Sequence, residues 1–155
     1  METVKSGGKA PFPARPLWPT GGLPPEELLN RAREAADLAY APYSRFHVGA
    51  ALLFADGTVV KGCNVENASY GLSLCAERSA MAVMVTRGLR NPLAIAVAGS
   101  HEDRDDYFTV PCPPCGACRQ VMMEFNPDLA VVLASAQGPK IFELKELLPH
   151  SFGLA

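Results

Sequence analysis

Apolar residues follow two different periods along this chain of 155 residues, and each period predicts a different kind of element. Stripes spaced by three or four positions predict helices that begin near residues 24–25, 75 and 115, and a short helix over 144–148. Short apolar runs bounded by turn residues predict strands. The predicted strands cover residues 46–54, 58–64, 93–100 and 129–135, and a weak fifth covers 140–143.

The predicted element boundaries rest on local signals. Two prolines and two acidic residues at 24–27 are typical of a helix start, and the stripe that follows runs to Ala39, so we expect Pro42 to end this helix. Asp56-Gly57 predicts a hairpin turn between the first two strands. Gly88 suits the end of the helix that begins near Cys75. The charged stretch 101–106 is expected to be a solvated loop.

The order of these elements predicts an α/β fold. After the first hairpin, strands alternate with helices, so we expect a three-layer α/β/α sandwich around a mixed sheet of about five strands. A length of 155 residues suits one domain with one sizeable core. Residues 1–23 are rich in proline and glycine and are expected to form a mobile arm. The apolar side chain of Trp18 could nevertheless pack against another part of the protein. Residues 24–155 are expected to form the single domain.

Charge and hydropathy exclude several classes of function. The net charge is −2 with no basic block, so a nucleic-acid partner has no electrostatic basis in the sequence. Apolar runs stay well short of the roughly 20 residues that a membrane span needs. The N-terminal sequence lacks the apolar core of a signal peptide, and we expect a cytoplasmic protein without a membrane partner. Five cysteines with CxxC spacing in such a protein favour a metal over disulfides.

The candidate chemistry lies in two short segments. Cys75 is followed two positions later by Glu77, and 40 positions after Cys75 comes the pair Cys115 and Cys118. Three thiolates can hold Zn²⁺ and leave its fourth tetrahedral position open to water, while a neighbouring carboxylate can move protons. Both segments fall at predicted helix starts, where free N–H groups favour an anionic metal–thiolate cluster. The sequence therefore predicts a hydrolytic zinc site.

Other residues near these segments need separate interpretations. Three thiolates exceed the charge of Zn²⁺, and Arg78 is the predicted donor that withdraws charge from them, with Gln120 as a weaker candidate. Cys112 and Cys115 form a second CxxC, but the two prolines between them oppose a shared helical turn, so we interpret Cys112 as a loop thiol. Cys63 reads as a small buried hydrophobe.

Several specific segments follow one another along residues 24–153: APYSRFHVGAA at 41–51, GCNVENASY at 62–70, CAER at 75–78, PCGACRQ at 114–120, and LLP at 147–149 before Ser151-Phe152. Together these segments resemble the cytidine deaminase family in its small homotetrameric form. The resemblance implies zinc-dependent hydrolytic deamination of cytidine and deoxycytidine to uridine and deoxyuridine, with release of ammonia, in pyrimidine salvage. It also implies one zinc ion per chain, held by Cys75, Cys115 and Cys118, and no organic cofactor.

The resemblance also implies roles for individual residues. Glu77 would take a proton from water, deliver it to the pyrimidine ring and assist the departure of ammonia. Asn64 and Glu66 would bind the 3′-hydroxyl of the sugar, which ribonucleosides and deoxyribonucleosides share. Phe46 would stack on the pyrimidine ring. Tyr70 and Phe152 would reach the site of a neighbouring subunit, so that complete sites exist only in the homotetramer.

Two other interpretations stay open. The same chemistry suits a related substrate such as a blasticidin-type nucleoside. The cysteines also suit a structural zinc module that only binds partners, but such sites close with a fourth cysteine or histidine and would leave Glu77 without a role.

Overall fold

The computed structural model describes Trp18, Pro19 and residues 22–154. The strands, in chain order, are β1 Phe46–Leu53, β2 Val59–Cys63, β3 Ala94–His101, β4 Ala130–Leu133 and β5 Lys140–Glu143. The α-helices are α1 Pro25–Ala36, α2 Ala76–Thr86, α3 Gly116–Phe125 and α4 Leu144–Leu147. A 3₁₀ helix covers Tyr70–Leu72 between β2 and α2.

The strands form a mixed sheet in the spatial order β2-β1-β3-β4-β5. β1 pairs antiparallel with both β2 and β3, β3 pairs parallel with β4, and β4 pairs antiparallel with β5. α1 packs on one face of this sheet, and α2 and α3 pack on the other. The predicted α/β fold with a mixed five-stranded sheet is confirmed.

The alternation of side chains along β1 explains the layers. Ala51 and Leu53 face α1, whereas Ala50 and Leu52 face α2, because successive strand residues point to opposite faces. Both sets are fully buried, so the second half of the strand has no polar face.

Two glycines let helices approach the sheet closely. A Cβ on Gly49 would lie 1.8 Å from the carbonyl oxygen of Ala32 in α1, and a Cβ on Gly62 would lie 2.3 Å from the backbone nitrogen of Ala80 in α2. Any side chain at either position would force the helix away from the sheet. Gly62 therefore determines how closely α2, whose N-cap is Cys75, packs against the sheet.

The first predicted helix ends earlier than expected. α1 ends at Ala36, six positions before Pro42, and Leu38 and Ala39 donate to the carbonyls of Ala35 and Ala36 in a tight turn. This turn brings Tyr40 beside the segment after β2, where its backbone pairs with Asn64 and Glu66. That long-range pairing, and not the proline, sets the end of the helix.

Part of the predicted N-terminal arm packs on the domain. Trp18 Nε1 donates to the carbonyl oxygen of Leu23 at 2.9 Å, and both side chains pack against the apolar cluster between α1 and the sheet. The rest of the predicted arm, residues 1–17 and 20–21, lies outside the described residues, so its predicted mobility stays a prediction.

No helix within residues 22–154 is long and apolar enough to cross a lipid bilayer.

Candidate active site

The N-terminal ends of α2 and α3 bring three cysteines together. Cys75 and Cys115 are the N-cap residues of these helices, both with extended backbone, and Cys118 lies in the first turn of α3. Their Sγ atoms all lie within 4.8 Å of one another. Sulfurs bound to zinc at about 2.3 Å in a tetrahedron stand roughly 3.8 Å apart, so small side-chain rotations suit these residues to a metal ion.

The electrostatics of the sulfurs also fit a cation. Burial raises the pKa of the Cys118 thiol, and the negative charges of Glu77 and Cys75 raise it further. Burial also acts to raise the pKa of Cys115, but hydrogen bonds from Cys118, Cys75 and the backbone N–H of Ala117 outweigh it, so that pKa is lowered. The three sulfurs can all carry negative charge only with a compensating cation between them.

Glu77 lies in the first turn of α2 and is only 5% exposed. Burial raises the pKa of its carboxyl, while its own backbone N–H, the Cys118 thiol and the charge of Arg78 partly oppose that shift. A carboxylate whose pKa is raised is a stronger base, which suits it to accept and return a proton. Its position beside Cys118 brings this capacity to the cysteine cluster.

Arg78 approaches the same cluster from α2. Its Nη2 lies 3.8 Å from Cys75 Sγ and donates to the carbonyl oxygen of Ser73 at 3.0 Å. Its Nε is buried without a hydrogen-bond partner among the described residues. The guanidinium is thus held against the sulfurs, as the predicted charge-withdrawing role requires.

A cavity of about 520 Å³ opens onto the cysteines and Glu77. Its lining includes Cys75, Cys115 and Glu77, together with Asn64, Glu66 and Tyr70. The described lining residues include these two carboxylates but no lysine or arginine. A cavity of this volume suits a small polar molecule without net negative charge.

Asn64 and Glu66 stabilise the wall that they form. The Asn64 amide accepts from the Val48 N–H at 2.8 Å and donates to the Phe46 carbonyl at 2.9 Å. Glu66 accepts from the backbone N–H groups of Tyr43 and Ser44, and from the Ser44 hydroxyl. Both side chains are thereby fixed in orientation at the cavity surface.

Ser44 and Tyr43 are contributors that the sequence reasoning did not assign. Both line the cavity, and their backbone N–H groups orient Glu66. The hydrogen bond from the Ser44 hydroxyl lowers the pKa of Glu66, which keeps this carboxylate an acceptor. Their place in the 41–51 segment was the available signal, but the partner lies more than 20 positions away.

Of the three aromatic residues predicted for the site, only Tyr70 lines the cavity of this chain. Tyr70 is 79% exposed and lines the cavity. Phe46 is not part of the lining of this chain, because its ring packs edge-on against His101, with centroids 4.9 Å apart, and lies over Gly99 beside Cys112. Phe152 is 71% exposed and also lies outside the cavity of its own chain.

The Gln120 side chain, a weaker candidate partner of the thiols, contacts the C-terminal segment. Its Nε2 donates to the Phe152 carbonyl at 2.9 Å, and its Oε1 accepts from the Phe152 N–H at 3.1 Å. These two bonds engage both ends of the amide and direct the side chain toward the C-terminal segment. Arg119 likewise donates to the carbonyls of Pro114 and Leu147.

The remaining two cysteines lie outside the sulfur cluster. Cys112 is half-buried on the cavity wall, where burial, and then the charge of Glu77, raises its pKa to about 12. Cys63 is half-buried too, and its thiol donates weakly to the Leu38 carbonyl at 3.5 Å. Among the described residues, the cluster that could hold a metal comprises Cys75, Cys115 and Cys118. Neither Cys63 nor Cys112 belongs to it.

Comparison with known proteins matches this architecture. The family model of the cytidine and deoxycytidylate deaminase zinc-binding region matches residues 24–134. A cytidine deaminase of Halalkalibacterium halodurans is 49% identical over 127 residues, covering 81% of this chain and 91% of that protein. A second, from Sporosarcina psychrophila, is 43% identical over 129 residues, covering 82% of this chain and 90% of that protein.

Solved structures agree with the sequence relatives. The crystal structure of a cytidine deaminase from Burkholderia pseudomallei superposes with a TM-score of 0.72 at 48% identity, covering 81% of this chain and 97% of that one. The matched family region includes all three clustered cysteines and Glu77. The chain therefore belongs to the cytidine and deoxycytidylate deaminase family, and it is an enzyme of the deaminase class of hydrolases.

Proposed function

We propose that this enzyme deaminates cytidine and deoxycytidine to uridine and deoxyuridine, with release of ammonia. The observation that carries the proposal is a cluster of three sulfurs, two of which line one cavity together with the buried Glu77. Cys75, Cys115 and Cys118 would hold one Zn²⁺ per chain. When bound, the zinc supplies a Lewis acid that makes water a nucleophile near neutral pH.

Glu77 is the proposed proton carrier. It would accept a proton from the attacking water and deliver it to ring nitrogen N3. It would then carry the proton of the new C4 hydroxyl to the amino group, so that the C4–N bond breaks, ammonia leaves and the C4 carbonyl of uridine forms. The burial of Glu77 supports this role, because burial raises the pKa of the carboxyl and makes the carboxylate a stronger base than an exposed one. Arg78, held 3.8 Å from Cys75 Sγ, would offset the excess negative charge of three thiolates.

The part of the cavity wall formed by Asn64 and Glu66 favours a nucleoside as substrate. Asn64 and Glu66 are held in place by backbone partners and present an amide and a carboxylate to the cavity, a pair suited to a sugar hydroxyl. A 3′-hydroxyl is common to cytidine and deoxycytidine, so both would be accepted. The described wall has carboxylates and no cationic side chain, which disfavours a phosphorylated substrate.

The proposal includes a homotetramer with shared sites. Tyr70 and Phe152 are large aromatic residues at the surface of this chain, 79% and 71% exposed, as side chains that complete a neighbour's site would be. Phe46 would then take its stacking role once the assembled site has formed. The proposal also includes a cytoplasmic enzyme of pyrimidine salvage, because thiolate ligands need a reducing compartment.

A structural zinc module is the competing function. The cluster of described residues offers three sulfurs and no fourth cysteine or histidine, whereas structural sites are usually closed by four protein ligands. A buried carboxyl beside the sulfurs also has no purpose in a closed site. Counting the sulfur ligands of the zinc-loaded protein by X-ray absorption separates the two functions, because a closed site would show four protein ligands and no bound water.

Ultraviolet monitoring of purified zinc-loaded protein tests the reaction directly. We expect cytidine and deoxycytidine to be converted to uridine and deoxyuridine with stoichiometric ammonia, and cytidine monophosphate to react far more slowly. A blasticidin-type nucleoside in a parallel assay tests the rival substrate. No turnover of either pyrimidine nucleoside by protein with a full complement of zinc would refute the proposal.

A further inference from the structure

The amide of Gln120 has no role in the proposed chemistry, yet it makes two well-formed hydrogen bonds. Both go to the backbone of one residue, Phe152, which lies 32 positions further along the chain. The amide thus donates to the carbonyl and accepts from the N–H of the same residue, as a neighbouring strand would do. Such two-point pairing fixes the orientation of the Phe152 backbone as well as its distance.

The C-terminal segment depends on this contact. After α4 ends at Leu147, residues 148–154 have no regular secondary structure. Within the described part of segment 149–154, the two bonds with Gln120 are the only hydrogen bonds to another element of the fold, while residues 149 and 150 form a local turn. The segment is also exposed throughout, so burial contributes little to its position. Gln120 is therefore its main tether.

The tether starts next to the cysteine cluster. Gln120 follows Cys118 by two positions in α3, and Arg119 between them ties the Pro114 carbonyl, at 2.8 Å, to the Leu147 carbonyl, at 2.7 Å. The first turns of α3 thus carry a sulfur of the cluster, and they also hydrogen-bond the C-terminal region at Leu147 and at Phe152. Phe152 is nevertheless 71% exposed and does not line the cavity of its own chain.

We propose that Gln120 is a positioning residue that holds Phe152 so that its aromatic ring completes the nucleoside site of a neighbouring copy of this chain. This inference rests on the proposed deaminase function and its shared sites. It assigns to Gln120 an effect on the partner's site, and not on the sulfurs of its own helix. Loss of the amide would leave the Phe152 ring attached to a free segment, and the ring would then contact the neighbouring site only part of the time.

The variants are Gln120→Leu, Gln120→Glu, Phe152→Ala and the double variant Gln120→Leu/Phe152→Ala. Gln120→Leu removes both bonds, while Gln120→Glu keeps the acceptor for the Phe152 N–H and loses the donor. We expect Gln120→Leu to raise KM for cytidine on the order of tenfold, with a smaller change in kcat and unchanged zinc content, since aromatic contacts with a base contribute mainly to binding. Gln120→Glu should have an intermediate effect.

The double variant and a matched control test the coupling. Gln137 lies exposed in the turn after β4, and its side chain has no hydrogen bond in the described structure, so Gln137→Leu should leave KM unchanged. Gln120→Leu/Phe152→Ala should be no worse than Phe152→Ala alone, because the tether has no purpose without the ring. Losses that simply multiply would overturn the inference.

Mixed assemblies decide whether Gln120 acts on its own site or on a neighbour's. Gln120→Leu chains are refolded or coexpressed with Glu77→Gln chains, which are expected to be inactive but keep Gln120 and Phe152. A Gln120→Leu site beside a Glu77→Gln neighbour then has an intact Glu77 and a correctly held partner ring. For random mixing of equal amounts, about one quarter of all sites should regain the parental KM.

The outcomes are distinct. A fraction of sites with parental KM in the mixture supports the inference, whereas mixtures in which no site regains it show that Gln120 serves its own chain and overturn it. Parental KM in the Gln120→Leu variant itself would also overturn it. Failure of the proposed function would look different, since the unmodified protein would not deaminate cytidine at all.

Discussion

Arg78 Nη2 lies 3.8 Å from the Sγ of Cys75, and Cys75 lines the cavity whereas Arg78 does not. The hydrogen bond to Cys75 is the main reason that the pKa of Arg78 is raised, so the guanidinium stays charged at any working pH. A fixed positive charge beside an anionic sulfur cluster withdraws electron density from it. The contact between Arg78 and Cys75 should therefore affect how acidic a water molecule is when a metal at the cluster binds it.

Arg78→Gln should lower turnover by roughly 10- to 100-fold, because it removes this charge and keeps hydrogen-bonding capacity. Adding Cys75→His replaces one thiolate by a neutral imidazole and lowers the negative charge at the ligands themselves. We therefore expect Cys75→His to recover part of the activity in the Arg78→Gln background and to harm the parent. Turnover and zinc content of all four proteins check this, and equal harm in both backgrounds would show that the two residues are not coupled through charge.

Glu77→Gln should abolish most of the activity and leave the fold and the metal in place. The amide matches the carboxyl in size but cannot carry a proton, and general acid–base catalysis is typically worth ~10²–10⁴-fold. The loss should reach at least that range, because Glu77 serves several proton transfers in the proposed reaction. Steady-state turnover of cytidine and zinc analysis provide the measurement. Activity within about tenfold of the parent would contradict the assignment.

Burial of Glu77 also predicts how the metal-free protein responds to pH. Its folded pKa is raised, so the folded chain holds the proton more tightly than the unfolded chain, whose pKa is about 4.3. The resulting contribution to stability is full below the unfolded pKa and is lost as pH rises through the folded pKa. Glu77→Gln cannot ionise, so it should gain stability relative to the parent over that interval.

Urea unfolding of both proteins from pH 4.5 to 8, with chelator and reductant present, measures this difference. The difference in the free energy of unfolding between Glu77→Gln and the parent should grow with pH and then level off. A difference that stays constant across the range would show that the folded and unfolded chains bind the Glu77 proton equally well.

Cys112 and Cys115 offer a direct test of which CxxC binds the metal. Cys112 lies outside the cluster in which the sulfurs of Cys75, Cys115 and Cys118 all approach one another within 4.8 Å. Cys112→Ser should keep about one zinc per chain and most of the activity, whereas Cys115→Ser should lose both. Cys63→Ser serves as a second control. A zinc-free Cys112→Ser protein would show that the wrong pair was chosen.

The sheet, the helix starts and the sulfur cluster could be predicted because each follows from local sequence. Apolar periods indicated the strands to within two residues, and Cys75 and Cys115 fall at helix N-termini as their surroundings indicated. Gln120 and the end of α1 could not be predicted in this way. Their positions depend on Phe152 and on the Tyr40–Val65 bridge, which are backbone contacts with segments far along the chain.

The environment of Phe46 shows the same limit. Its place in the first strand was predicted, but its edge-on contact with His101 and its position over Gly99 depend on the pairing of β1 with β3. Sequence patterns specify which face of a strand is buried. They do not specify whether an aromatic ring at the end of that strand turns toward a cavity or toward its neighbour in the sheet.

Gly62 and Gly49 provide a matched pair that separates fold stability from metal binding. A Cβ at Gly62 would lie 2.3 Å from the Ala80 nitrogen of α2, and one at Gly49 would lie 1.8 Å from the Ala32 oxygen of α1. In both cases the obstacle is helix backbone, which cannot rotate away as a side chain would. Either alanine variant should lower the free energy of unfolding by about 1–3 kcal/mol.

Only Gly62→Ala should also weaken the metal site. It displaces α2, which carries Cys75, Glu77 and Arg78, whereas Gly49→Ala displaces α1 on the opposite face of the sheet. Zinc affinity measured by competition with a chelator, at a temperature where both variants are folded, should therefore fall for Gly62→Ala and stay near the parental value for Gly49→Ala. Turnover per bound zinc should follow the same order, because Glu77 moves with α2. If both variants lost zinc equally, the weakening would reflect general loss of stability, and the close approach of Gly62 to Ala80 would have no particular part in positioning the sulfurs.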